Sequence, residues 1–290
     1  MFTRTSIGSR YALRARGIAI TNAAFAAAIL SVCSSGARAD ALPGYQTPAS
    51  DQKNSAVLVR DLNAFISSAI VRYHDQAFAR WPLAIPVCLR VSGIESSERD
   101  LVIARIYEIA QAAGARIGDA NCDPSFFVFV TPQPDAIMAA MRKRNPRLFN
   151  IHYGVDQVNR FMNTPRPIRA WYNTYIGGGV PNSKLQYDET RAITQVFVFI
   201  DTKRLGDTVN FRQLADYTAM VGLAEVNLDN DLGDAPTILH LFGANAEARK
   251  PGLTSWDQAV LYSLYNMPRK DVLQVDEMAN SAARYITQSP

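Results

Sequence analysis

The chain has 290 residues, of which 48% are hydrophobic and 19% are charged, a composition typical of a globular protein. Its formal net charge of +4 depends on five arginines within residues 1–39, a stretch that contains no acidic residue. Subtracting these five from the 30 basic residues of the chain leaves 25, against 26 acidic residues. The remainder therefore lacks the excess positive charge on which nucleic-acid binding depends, and we expect no nucleic-acid partner.

Residues 1–39 have the pattern of a cleavable secretory signal peptide. Arginines precede a mostly apolar run over 17–32, and Ala37-Arg38-Ala39 supplies the small residues of a cleavage site. The apolar run is about 16 residues long, shorter than the roughly 20 that cross a bilayer, and no later stretch is longer. We therefore expect cleavage after Ala39 and a periplasmic or secreted protein without a transmembrane segment. Lipidation at Cys33 is less favoured, because Val32 stands where a lipobox needs a small residue.

After the signal, residues 40–53 are rich in Pro, Gly, Ser and Gln and predict a flexible leader. A single domain is expected over residues 54–290. Its first element is a helix, because apolar residues recur at helical spacing over 55–79. Trp81-Pro82 is expected to end that helix.

A strand, a helix and a second strand follow. The strands are predicted over 86–91 and 126–130, and Gly114 is expected to end the helix between them. A right-handed crossover would make the two strands parallel. Cys88 and Cys122 are the two cysteines beyond residue 39, and such a pair in an oxidising compartment predicts a disulfide.

The rest of the chain predicts a helix from 134 to 141, an irregular stretch over 145–167, and antiparallel strands over 168–172 and 193–200. Further helices are predicted over 211–226, 254–265 and 271–286. The fold class is therefore α/β or α+β, with a mixed β-sheet flanked by helices and a helix-rich C-terminal part.

The strand over 168–172 offers a possible ligand face. Alternation places Arg169 and Trp171 on one face and Tyr172 on the other. A cation beside an aromatic ring could hold an anionic or carbohydrate ligand. The alternative is ordinary sheet packing, with the arginine stacked on the tryptophan.

An acidic segment follows the helix predicted over 211–226. Asp229, Asp231 and Asp234 could gather oxygen ligands around calcium, although their spacing departs from the EF-hand pattern. A helix end followed by an Asx-rich turn explains the same residues equally well. His240 lies in an apolar stretch, which favours a structural histidine over a metal ligand.

Nearly the whole chain after residue 39 resembles a family of uncharacterised proteins exported by Gram-negative bacteria. The matching stretches are Trp81-Pro82, Pro86-Val87-Cys88, Asn121-Cys122, Pro167 to Tyr172, Asp216 to Val221, Pro236 to Leu239 and Leu253 to Asp257. No activity is attached to that family, so the resemblance implies export alone.

The order of the elements also resembles the catalytic domain of matrixin-like zincin metallopeptidases. The segment over 254–265 is similar to the final helix of those enzymes, and the helix over 211–226 would take the place of their zinc helix. That helix needs H-E-x-x-H, but Asp216, Tyr217 and Met220 occupy the three positions. A shift by one residue places Ala215, Asp216 and Ala219 there. Neither register supplies the imidazoles that a zinc ion needs, so we expect no zinc.

These observations favour a non-catalytic, zincin-like scaffold that binds a protein or an envelope component, with no cofactor. The first alternative is a cell-envelope hydrolase, acting on peptide or glycan through Asp216, Tyr217 and Glu225. The second is a structural module stabilised by calcium at Asp229, Asp231 and Asp234.

Overall fold

The computed structural model describes residues 49–72, 78–149, 155–177, 190–206, 209–243, 248–267 and 274–288. All of them belong to one compact unit, Thr47–Pro290. Residues 1–39 lie outside the described part, so the signal peptide and the lipidation of Cys33 stay predictions.

Helix α1 (Ala49–Ala69) begins within the segment predicted as a leader and ends before the expected Ala79. The chain leaves the helix because it pairs with a segment near Val226, farther along the sequence. Ile70 forms an antiparallel bridge with Val226, and the amide of Val71 donates to the Glu225 carbonyl at 2.8 Å. Tertiary pairing therefore shortens a helix that local periodicity alone would extend.

The predicted β-α-β unit is present as β1 (Leu89–Ser92), α2 (Ser96–Ala113) and β2 (Phe126–Thr131). The two strands are parallel. Gly114 ends α2 with φ of 93°, the left-handed conformation that favours glycine. The predicted Cys88–Cys122 disulfide is also present, with Cα atoms 6.0 Å apart, and it joins the chain just before each strand.

The predicted antiparallel pair consists of β3 (Ile168–Gly177) and β4 (Thr190–Asp201). Strand β4 also pairs in parallel with β2, so the sheet order is β1-β2-β4-β3. The fold is therefore α/β, with a four-stranded mixed sheet whose β3 edge is antiparallel.

Seven α-helices flank this sheet in the described part of the chain. The remaining ones are α3 (Pro134–Arg144), α4 (Val155–Asn163), α5 (Phe211–Leu223), α6 (Ser255–Asn266) and α7 (Gln274–Gln288), with a 3₁₀ helix at Ile238–Phe242. Capping boxes begin α5 and α6: Asn210 and Gln213 exchange hydrogen bonds, as do Thr254 and Asp257. The three helices that follow β4 make the C-terminal part helix-rich, as predicted. No helix in the described ranges is long and apolar enough to cross a membrane.

Helix α4 lies within the stretch that was predicted to be irregular, so that prediction was wrong. Val158, Phe161 and Met162 recur at helical spacing and pack on the sheet in a small aromatic core. Pro165 and Pro167, which follow the helix, obscure this short signal in the sequence.

The larger core lies on the opposite face of the sheet, where α5 approaches β2 closely. A Cβ atom on Gly222 would stand 1.9 Å from Cζ of Phe126, so only glycine allows this approach. Trp81 stacks on the Phe126 ring and donates its indole N–H to the Gly222 carbonyl at 2.9 Å. Helix α5 is thereby held against the sheet.

Candidate functional site

Two cavities lie beside β3 and the segment that follows α5. The arginine cavity has a volume of about 220 Å³ and is lined by Arg160, Phe161, Arg166, Arg169, Trp171 and Glu225, among others. The loop cavity has a volume of about 490 Å³ and is lined by Tyr217, Asn227, Asn230, Asp231, Asp234 and His240, among others. Arg166, Asn227 and Leu228 line both, so the two cavities are neighbours.

Arg169 is held in place by the ends of two helices. Its side chain donates to the Met162 carbonyl at 2.9 Å and to the exposed carboxylate of Asp135 at 2.5 Å. Only 4% of the residue is exposed. Its Nε is shielded from solvent and makes no hydrogen bond with any described residue. Arg169 therefore joins β3 to α3 and α4.

The other two arginines of this cavity differ in their pairing. Arg166 donates to the Leu228 carbonyl and to the carboxylate of Asp229. Arg160 lies in the last turn of α4, where it is exposed and forms no ion pair with any part of the chain that the structure describes. The cavity therefore holds one guanidinium group that is already neutralised and one that is not.

The predicted alternation along β3 is confirmed. Trp171 belongs to the small aromatic core, with its ring centroid 5.0 Å from that of Phe161. Tyr172 points to the larger core, where its hydroxyl donates to the Val221 carbonyl at 2.7 Å. Trp171 thus packs against aromatic rings, and Trp171 and Arg169 both line the arginine cavity.

The three residues named for a hydrolase occupy three different environments. Asp216 is completely buried and lines neither cavity; its oxygens accept from Arg105 Nε at 2.6 Å and from the Leu253 amide at 2.8 Å. Tyr217 lines the loop cavity and Glu225 the arginine cavity. The structure therefore does not bring the three side chains together in one cavity.

Arg105, the partner of Asp216, was missed from the sequence. It lies in α2 between Val102 and Ile109, within the apolar stripe that faces the core. A charge at such a position is a signal for a buried partner, because an unpaired ion there would be costly. The pair also raises the pKa of Arg105, chiefly through the hydrogen bond to Asp216.

The loop cavity contains two polar groups without partners. Tyr217 is 5% exposed, its ring packs edge-on against Phe242 at 5.0 Å, and its hydroxyl makes no hydrogen bond with any described residue. Burial raises its pKa, so the phenol stays neutral. His240, in the 3₁₀ helix, has an Nε2 that is likewise shielded and unpartnered within the described ranges. The hydroxyl of Tyr217 can take part in a hydrogen bond with a ligand.

The acidic segment forms turns. Asp229 is paired with Arg166, and Asp231 accepts from the Gly233 amide at 2.9 Å in an Asx turn. Asp229, Asp231 and Asp234 are all exposed. Among the described residues, no group of three or more His, Cys, Asp or Glu side chains is arranged to hold a metal ion.

Because Asp229 and Asp231 are engaged separately and these carboxylates do not gather into a metal-binding group within the described chain, we expect calcium to leave the melting temperature within about 1 °C of its value in chelator. A calcium site filled at a hundred times its dissociation constant would add about 2.7 kcal/mol to the free energy of unfolding. Thermal unfolding in calcium and in EDTA measures the difference. A rise of several degrees in calcium would support the calcium-stabilised module instead.

No protein-family model matches the chain, and no characterised protein or solved structure is significantly similar to it. The resemblances to exported Gram-negative proteins and to zincins therefore stay predictions from the sequence. The function has to be inferred from the chemistry of the two cavities.

Proposed function

We propose that the chain is an exported, non-catalytic binding protein that holds an anionic ligand in the arginine cavity. One observation carries the proposal: Arg160, Arg166 and Arg169 line the same cavity. A guanidinium group presents a planar set of donors that matches carboxylate, phosphate or sulfate oxygens. The rings of Phe161 and Trp171 complete the wall and exclude water from one side.

The charges and donors in this cavity support an anion over a neutral ligand. Three guanidinium groups stand against the carboxylates of Glu225 and Asp229, and Asp229 is already bound by Arg166. Arg160 has no ion pair in the described chain. An anion would pair with this exposed guanidinium group, and hydrogen bonds between charged groups are among the stronger ones in proteins.

The exported part of the proposal is supported by the pattern of residues 1–39 and by the disulfide, which persists in oxidising compartments. The non-catalytic part is supported by Asp216. Its carboxylate is engaged by Arg105 and Leu253 and has no access to either cavity. Turnover of a ligand bound in the arginine cavity would contradict the non-catalytic part of the proposal.

Replacing Arg160 by alanine is expected to weaken anion binding roughly tenfold, since one charge-assisted hydrogen bond of about 1.5 kcal/mol is lost. Isothermal titration with citrate, sulfate and phosphate at low salt measures the affinity. Stability should change by less than about 0.5 kcal/mol, because the side chain is exposed.

Arg142→Ala is the matched control. Arg142 also lies in the last turn of a helix and is exposed, but it lines neither cavity. Its replacement should leave the affinity unchanged. Equal losses of affinity in the two variants would show that Arg160 acts through long-range charge and not through contact with the anion. Failure of every anion to bind the unaltered protein would overturn the proposal.

A further inference from the structure

The loop cavity is the second binding feature of this region, and its size fits a small molecule or one unit of a larger one. Its volume of about 490 Å³ lies within the roughly 300–1,000 Å³ of small-molecule sites. It shares Arg166, Asn227 and Leu228 with the arginine cavity. A ligand that fills one cavity can therefore extend into the other.

Tyr217 contributes a polar atom without a partner to the lining of this cavity. The residue is 5% exposed, and its hydroxyl makes no hydrogen bond with a described residue. A hydroxyl can donate or accept according to its rotamer, so it can bond with a hydroxyl group of a ligand.

The asparagines of the cavity present one donor and one acceptor. Asn227 uses its Oδ1 to accept from the Asp229 amide, and Asn230 uses its Nδ2 to donate to the Ser68 carbonyl. The Nδ2 of Asn227 and the Oδ1 of Asn230 are not used by any described residue. The residues of this cavity thus offer both donors and acceptors, which suits hydroxyl groups, because each hydroxyl is both.

Charge disfavours an anion in the loop cavity, because a phosphate or carboxylate there would meet the carboxylates of Asp231 and Asp234. A neutral polyhydroxyl unit meets no such repulsion. Resting on the proposed anion site, we propose that the ligand is an acidic oligosaccharide. Its carboxylate binds in the arginine cavity, and a neighbouring neutral sugar ring binds in the loop cavity.

Titration calorimetry with glucuronic acid, cellobiouronic acid (a glucuronic acid linked to one neutral glucose) and neutral cellobiose tests this inference on the full chain. We expect cellobiouronic acid to bind at least tenfold more tightly than glucuronic acid, and cellobiose to bind more weakly than either. Tyr217→Phe removes only the unpartnered hydroxyl, so folding should be unaffected. It should weaken the binding of cellobiouronic acid roughly tenfold and leave that of glucuronic acid unchanged. Tyr175→Phe is the control, because Tyr175 is 62% exposed and lines neither cavity.

The outcomes separate this inference from the proposal beneath it. Equal affinities for glucuronic acid and cellobiouronic acid, with no effect of Tyr217→Phe, would overturn the oligosaccharide while leaving an anion site that depends on Arg160. Failure of every uronate and every simple anion to bind would overturn both. Tighter binding of tri-glutamate than of cellobiouronic acid, sensitive to Tyr217→Phe, would replace the sugar by an acidic peptide.

Discussion

Replacing Asp216 by alanine is expected to lower the free energy of unfolding by about 3–5 kcal/mol, the cost of breaking a buried ion pair from one side. The carboxylate is completely buried, and Arg105, its partner, has only 21% of its side chain exposed. Removal leaves the guanidinium charge without its main partner. It also leaves the Leu253 amide, which donates to the same carboxylate at 2.8 Å, without its acceptor. One side chain thus joins α2, α5 and the approach to α6.

Glu108→Gln provides a matched control for Asp216→Ala. Glu108 also pairs with Arg105, at 2.9 Å, but 67% of its side chain is exposed. Its replacement should cost less than about 1 kcal/mol, because water competes for exposed pairs. Urea unfolding, monitored by circular dichroism, measures the stability of both variants. An unchanged slope of the free energy of unfolding against urea concentration shows that the unfolding transition is the same. Similar losses in the two variants would show that burial does not set the importance of this pair.

Asp216→Asn separates shape from charge. The amide keeps an oxygen that can accept from Leu253 but loses the charge that neutralises Arg105. We expect a loss between those of Asp216→Ala and Glu108→Gln. A loss equal to that of alanine would assign the whole effect to charge.

Local pattern predicted the elements of the sheet, but not its strand order. Apolar runs and a glycine stop sufficed for β1, α2 and β2, because each signal lies within a few residues. The insertion of β4 between β2 and β3 depends on packing between distant segments. No periodicity within one strand carries that information.

The candidate site was predicted in part for the same reason. Alternation along β3 placed Arg169 and Trp171 on one face, since side chains alternate along any strand. Arg160 could not be added to them, because the segment that forms α4 was expected to be irregular. The pair between Arg105 and Asp216 joins residues 111 positions apart. The only sequence signal for this pair was a charged residue within the apolar stripe of α2.

Removal of the disulfide through Cys88→Ala with Cys122→Ala is expected to lower the free energy of unfolding by about 3–4 kcal/mol. The bridge spans 34 residues, and closing a loop of that length restricts the unfolded chain by this amount on the chain-entropy estimate. The double variant avoids the unpaired thiol that a single replacement would leave. Hydrogen bonds across the same junction remain, since the Ser125 and Phe126 amides both donate to the Cys88 carbonyl at 2.9 Å. The fold should therefore persist at reduced stability.

Reductant distinguishes the loss of the disulfide bond from the loss of the two cysteine side chains. Dithiothreitol should bring the unaltered protein close to the stability of the double variant and should leave that variant unchanged. If the double variant lost stability and the reduced protein did not, the loss would come from the packing of the cysteine side chains. Cys88 is 4% exposed, so its side chain does contribute to packing. Thiol titration in denaturant completes the measurement. The chain contains three cysteines, so the oxidised full chain should show one thiol, Cys33, and none once residues 1–39 have been cleaved.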